Sequence, residues 1–234
     1  MNDSLFITGT DTGVGKTLIT GFLGRFLTEN GMNVISQKWV QTGCAGVSED
    51  INTHLKLMGK TIEDVQNYLP EISPYVLEYP SSPHLAAELE KVQIEEGLIE
   101  ESFLRLARDF DVVLVEGVGG VLVPVNRKAL MIDIAKALDL PVLVVAENRL
   151  GAINQTMMTI DVLRVRGLHI LGIVFNQVSG GEDEIILKDN PKIVQKLTGI
   201  EVLGELPYSK DTDALYGEFP KTAHKIFGRI KLKA

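Results

Sequence analysis

Cysteine and histidine are scarce in this sequence, and long apolar runs are missing. Cys44 stands alone among 234 residues, which excludes an intramolecular disulfide framework. The four histidines (His54, His84, His169 and His224) are scattered, and no Cys/His group has zinc-ligand spacing. No apolar stretch is long enough to cross a bilayer, so no membrane partner is expected. Basic residues are in the minority. With 23 Lys and Arg against 31 Asp and Glu, the net charge is -8, which speaks against a nucleic-acid partner that needs a basic face. Met1 to Ser4 is polar and leads straight into a strand pattern, so no secretory signal is read there and a cytoplasmic location is expected.

What remains suits a globular α/β chain. Hydrophobic residues make up 45% and charged residues 23%, and the length fits one domain, 1–234, better than two. Leu5 to Thr8 is a short apolar run. Lys16 to Asn30 repeats apolar residues at helical spacing (Leu18, Ile19, Phe22, Leu23, Phe26, Leu27), with Gly31 as its stop. Further strands are predicted at Asn33 to Val40, Val112 to Val115, Pro141 to Ala146, Ile170 to Phe175 and Glu201 to Leu206. Helical patterns separate them at Glu95 to Asp109, Ile132 to Leu138, Ala152 to Arg166 and Asn190 to Leu197. That alternation predicts a mostly parallel sheet with helices on both faces. Gln41 to Ala86, with four prolines, reads as an irregular segment of the kind that forms lids or binding loops.

The chemistry starts in Gly9-Thr10-Asp11-Thr12-Gly13-Val14-Gly15-Lys16-Thr17, between a strand and a helix. This is the context of a phosphate-binding loop. Glycines let backbone N–H groups face phosphate oxygens, and the helix N-terminus favours an anion. Lys16 should reach the β- and γ-phosphates of a nucleoside triphosphate, and Thr17 should place its hydroxyl on Mg²⁺. The strict pattern puts its first glycine where Thr10 stands, so this loop is a variant. Glu116 follows a buried strand and precedes Gly117-Val118-Gly119-Gly120, at the sheet edge where ligands bind. A carboxylate there suits Mg²⁺, or caps a turn. Asp50, at the start of a predicted helix, is either a metal ligand or an N-cap. Lys38 ends the second strand, where a cation either offsets charge in phosphoryl transfer or is simply solvated.

Taken together these pieces resemble dethiobiotin synthetases. The matching segments are 9–17, Gln-Lys-Trp-Val-Gln-Thr-Gly at 37–43, Ser-Ser-Pro-His at 81–84, Val-Glu-Gly-Val-Gly-Gly at 115–120, Leu-Gly-Ala-Ile-Asn at 150–154 and Leu-Gly-Glu-Leu-Pro at 203–207. They occur in family order over nearly the whole chain. The resemblance implies a P-loop NTPase fold. It also implies that ATP, CO₂ and 7,8-diaminononanoate are converted to dethiobiotin, ADP and phosphate through a carbamate and a carbamic–phosphoric anhydride. It assigns Lys16 and Lys38 to charge stabilisation, Thr42 to the carbamate or diamine, and Thr17, Asp50 and Glu116 to Mg²⁺. Gly13, Val14, Gly15 and Leu18 would line the nucleotide, and Gly117, Val118 and Gly119 the phosphates or substrate. Leu150, Gly151 and Asn154 would receive the substrate carboxylate of a partner subunit, which makes the protein a homodimer with sites at the interface. Asn176, Gln177, Pro207 and Tyr208 would flank the base.

Three positions depart from the family pattern. Trp39 replaces a common Pro, Gln155 a frequent His and Gln177 a frequent Asp. Outside the motifs, His84 is read as part of a turn with an unusual Pro83 peptide bond, and His54, His169 and His224 as surface or packing residues. Cys44 has no base partner in the pattern, Met157 and Met158 belong to a core or dimer face, and Lys225, Arg229, Lys231 and Lys233 form a solvated basic end. Two rivals fit less well. A partitioning-type switch ATPase usually carries a lysine early in the loop, and Gly9 to Thr12 has none. An amidotransferase-coupled ligase would need a glutaminase domain that this length does not hold.

Overall fold

Short β-branched runs and amphipathic helices alternate along residues 3–231, which the computed structural model describes. Met1, Asn2 and Lys233 lie outside these residues. In chain order the elements are β1 (Leu5–Gly9), α1 (Lys16–Glu29), β2 (Val34–Lys38), β3 (Val40–Thr42), α2 (Glu49–Leu57), a 3₁₀ turn at Glu63–Tyr68, α3 (Leu69–Ile72), β4 (Tyr75–Leu77), α4 (Pro83–Glu90), α5 (Glu96–Asp109), β5 (Val112–Gly120), α6 (Met131–Ala137), β6 (Val142–Glu147), α7 (Ala152–Val165), β7 (Ile170–Asn176), α8 (Glu184–Thr198), β8 (Val202–Leu206), α9 (Thr212–Glu218) and α10 (Pro220–Lys231).

Six strands form one parallel sheet in the order β2-β5-β1-β6-β7-β8. Side chains alternate between its faces, as strand geometry requires. Leu5, Ile7, Val112 and Leu114 pack with α1 and α10 on one side, while Phe6, Val113 and Val115 pack with α5, α6 and α7 on the other. Val112 to Val115 are wholly buried, the signature of a strand covered on both faces. β1 is central, with β5 and β6 at its flanks, so its carboxyl end is where the strand order reverses and where such sheets bind ligands.

Four expectations need correction. The run from Asn33 to Val40 is not one strand. Trp39 and Val40 both enter the same core, which neighbours in a continuous strand cannot do, so the chain breaks between them. Trp39 is fully buried, stacks on Phe6 with ring centres 5.2 Å apart, and donates its indole N–H to the Gln37 side chain at 2.9 Å. Beyond it β3 pairs with β4 in a separate two-stranded parallel sheet. The segment Gln41 to Ala86 is mostly structured, carrying α2, α3, β4 and the start of α4. Pieces this short leave little periodicity to read. Helix α8 starts at Glu184, ahead of Asn190. The Asp183 side chain accepts from the Ile185 N–H at 2.7 Å, and Pro191 sits within the helix, masking its pattern. No cis peptide bond occurs among the described residues, and Pro83 simply opens α4.

Candidate active site

The loop from β1 to α1 is held open by its glycines. Gly15 caps α1 at φ +99°, and a Cβ there would meet Asn176 Nδ2 at 2.2 Å. That amide donates to the Val14 carbonyl at 3.0 Å. The Val14 side chain is buried in the core, so only its backbone can face a phosphate. No acidic residue occupies the first turn of α1, leaving the N-terminal dipole to an anion. Lys16 lies back across the loop, its Nζ donating to the Asp11 carbonyl at 2.9 Å. Burial, together with the nearby Lys38 charge, pushes Lys16 down to about 8.

Beside this loop four side chains converge from four elements, α1, β2, α2 and β5. Lys38 and Glu116 are partners in the register of β2 against β5. Lys38 Nζ lies 2.7 Å from Glu116 Oε1, 2.7 Å from Asp50 Oδ2 and 3.1 Å from the Gly117 carbonyl. The Thr17 hydroxyl donates toward Asp50 Oδ1 and Glu116 Oε1, each at 3.2 Å. Burial alone would lower Lys38, but the Glu116 and Asp50 carboxylates outweigh it and hold the ammonium above its usual value. Burial alone would raise Glu116, but Lys38 and His54 drive it far below the carboxylate range. The N-cap of α2 is Ser48, whose hydroxyl accepts from the Ile51 N–H, so Asp50 is free of capping and turns into the site. Two carboxylates and a hydroxyl are hard oxygen donors, the set that suits Mg²⁺ held jointly with substrate phosphates. Phe6 lies under Gly117 and would sit 2.7 Å from any added Cβ, which keeps that position a glycine. The cleft over this junction measures about 1400 Å³. Gly13, Leu18, Thr42, Val118, Gly119 and the Pro80–Pro83 turn line it.

Comparison with known proteins decides the family. The chain is 39% identical to the ATP-dependent dethiobiotin synthetase BioD 2 of Haemophilus influenzae over 83% of its length and 100% of that protein. It is 41% identical to the ATP-dependent dethiobiotin synthetase BioD of Chlorobaculum tepidum, over 77% of this chain and 75% of that one. The chain belongs to the dethiobiotin synthetase family. A family model described as an AAA domain also matches residues 3–215. Among solved structures, a MinC:MinD cell division protein complex of Aquifex aeolicus superposes with a TM-score of 0.60 at 15% identity, covering 96% of this chain and 95% of that one. A ParA family ATPase from Chlorobium tepidum gives 0.57 at 14%, covering 97% and 98%. These two establish the shared P-loop fold and nothing finer.

In this dethiobiotin synthetase family member, the remaining expected residues lie apart from the junction. Leu150, Gly151 and Asn154 line a separate groove of about 780 Å³ with Met157 and Met158 between α7 and α8. Asn176 is spent on the Val14 carbonyl, with its Oδ1 buried and unpartnered. Gln177 and Tyr208 meet each other, the Tyr208 N–H donating to Gln177 Oε1 at 3.4 Å next to Pro207. The wall of the cleft on that side comes from Lys210 to Asp213, the turn into the short helix α9, too brief a stretch to carry a periodic signal. His54 was also missed. It is fully buried, and its Nε2 lies 2.7 Å from Glu116 Oε2, so it is neither a surface residue nor plain packing. Its position four residues after Asp50 on a predicted helix was the one available hint. His84 meets Ser82, its Nδ1 3.1 Å from the hydroxyl, and Cys44 is buried with Sγ toward the Val47 carbonyl.

Proposed function

We propose that the cleft over Lys16, Lys38 and Glu116 makes dethiobiotin from 7,8-diaminononanoate, CO₂ and ATP. The observation that carries this is the junction of Lys38, Asp50, Thr17 and Glu116 at the mouth of the phosphate loop, in a chain of this family. One amine of the substrate adds to CO₂, loses a proton and becomes a carbamate. A carbamate oxygen then attacks the γ-phosphorus, the bond to the bridging oxygen breaks, and ADP leaves. The second amine attacks the carbonyl carbon of the mixed anhydride, closes the cyclic urea and expels phosphate. A carbamate is a poor acylating agent until its oxygen leaves as phosphate, so the site has to position and neutralise more than to bond covalently.

In this reading the two lysines serve that task. Lys16 reaches the transferring phosphoryl group, and Lys38 offsets the carbamate and the developing equatorial charge. Thr42, on the cleft wall, hydrogen-bonds the carbamate or diamine. Thr17, Asp50 and Glu116 would hold Mg²⁺, which would neutralise the β- and γ-phosphates when bound. The substrate carboxylate docks at the N-terminus of α7 of a second copy, through Leu150, Gly151 and Asn154. In support, their groove is separate from the cleft of the same chain, and Leu150 is 72% exposed. A cytoplasmic homodimer goes with this reading; among the described residues no helix is long and apolar enough to cross a membrane.

Labelled bicarbonate tests the chemistry. The label should appear in the ureido carbon of dethiobiotin, with one ADP per labelled product. Label uptake without ATP, or ADP without labelled product, would refute it. Heterodimers that combine Asn154→Pro with Lys16→Ala should regain part of the lost activity, and none regained in verified heterodimers would rule out shared sites.

A further inference from the structure

Glu116 is 1% exposed, and both of its oxygens are engaged. Oε1 takes Lys38 at 2.7 Å and Thr17 at 3.2 Å, while the partner of Oε2 among the described residues is His54 Nε2 at 2.7 Å. The carboxylate is therefore split, with one oxygen turned to the cleft and one turned into the protein. His54 comes from α2, one helical turn beyond Asp50, so the two share a face of that helix. The Ser48 cap and buried Ile51 and Leu55 fix α2 against the sheet, which sets the imidazole and the Asp50 carboxylate as one rigid unit.

The other ring nitrogen is informative. His54 Nδ1 is buried and has no hydrogen-bond partner among the described residues. A proton there would be a buried donor without an acceptor, whereas a lone pair is less costly to leave unmet. The ring thus fits the tautomer with its proton on Nε2, donating to Glu116. A core histidine kept for packing has no reason to leave one nitrogen unmet and aim the other at a buried carboxylate.

We propose that His54 is a positioning residue that pins Oε2 of Glu116, so that Oε1 is presented singly to the metal junction with Thr17 and Asp50. Without the imidazole, Oε2 would be buried with no donor, and the carboxylate would turn to give both oxygens to Lys38. This inference rests on the metal reading given under Proposed function. Outer hydrogen bonds to ligating groups generally set metal affinity.

Binding of Mn²⁺ in the presence of ADP, followed by the electron paramagnetic resonance of the free ion, tests it in the full chain. Glu116→Gln should abolish protein-bound Mn²⁺. His54→Leu should weaken Mn²⁺ by about 10- to 100-fold, while ADP binding measured without metal stays at the wild-type value. His54→Gln, whose amide nitrogen reaches toward the place of Nε2, should recover most of the loss. Wild-type Mn²⁺ affinity in His54→Leu would overturn the proposal. So would equal losses in the Leu and Gln variants, or a parallel loss of metal-free ADP binding. If His54→Leu does not fold, His54→Gln against the shorter His54→Asn makes the same distinction, with Asn expected to be the weaker. Were the wild type to hold no more Mn²⁺ than ADP alone holds, or Glu116→Gln to keep its metal, the metal reading itself would fall and the role of His54 with it.

Discussion

Lys16 and Lys38 line the same cleft, yet removing them should move stability in opposite directions. Lys16 is 6% exposed and releases its proton near pH 8 where an unburied lysine would do so at 10.5. Keeping that ammonium charged destabilises the free fold by about 3 kcal/mol. Its bond to the Asp11 carbonyl offsets roughly half of this. Lys16→Met should therefore stabilise the nucleotide-free protein by roughly 1–2 kcal/mol at pH 7, while abolishing turnover. The sign with pH follows from the lowered value. Between pH 8 and 10.5 the unfolded chain binds more protons at this residue than the folded one, so wild-type stability climbs relative to the variant. At about 1.4 kcal/mol per pH unit, a gap of roughly 1–2 kcal/mol closes near pH 9, and above it the wild type is the more stable. Lys38 is the reverse case. It is 4% exposed and lies between Asp50 and Glu116, so Lys38→Met leaves two carboxylates facing each other without a cation. Loss of one partner of a buried ion pair destabilises by about 3–5 kcal/mol. Urea unfolding of both variants with chelator and without nucleotide measures the two effects. A Lys16→Met protein less stable than wild type at pH 7, or a Lys38→Met protein no less stable, would refute this electrostatic reading of the site.

Gly15→Ala forces a side chain to φ +99° and into Asn176 Nδ2 at 2.2 Å. Strain of about 1–3 kcal/mol and loss of ADP binding by calorimetry are expected, and unaltered ADP affinity would show that the loop tolerates a Cβ. Thr17→Val keeps the shape of the helix start but removes the hydroxyl that meets Asp50 and Glu116. Mg²⁺ should then fail to tighten ADP binding, with metal-free binding unchanged; a full Mg²⁺ effect would take Thr17 out of the metal site. Trp39→Ala opens a cavity beneath Phe6 beside Lys38 and should destabilise by about 3–5 kcal/mol in urea. A loss below about 1 kcal/mol would mean the core there collapses readily.

Much of this was legible in the residues. The helix after Lys16 has a period that points to one structure, and it folds as read. The apolar run at Val112 to Val115 is a strand, but it continues through Glu116 to Gly120, where the glycines carry no strand signal. The phosphate loop is local chemistry, so its geometry follows from nine consecutive residues. The junction is different. Lys38, Asp50 and Glu116 meet because β2 adds beside β5 and α2 folds back over the strand ends, long-range facts that no single segment encodes. Asp50 was ambiguous until Ser48 proved to be the cap. His54 was unreadable for the same reason: an isolated histidine on a short helix gains meaning only when Glu116, 62 positions later, arrives beside it. Trp39 shows the limit for strands, since the pattern from Asn33 to Val40 does not reveal where a large buried ring will end the pairing.

The most direct test of the proposed reaction is phosphate release from Mg-ATP and bicarbonate, measured with and without 7,8-diaminononanoate. Release that requires the diamine, with dethiobiotin formed in equal amount, is the expected result. Hydrolysis that ignores the diamine, or no release at all, would contradict it and leave a nucleotide-binding fold whose substrate is not this diamine.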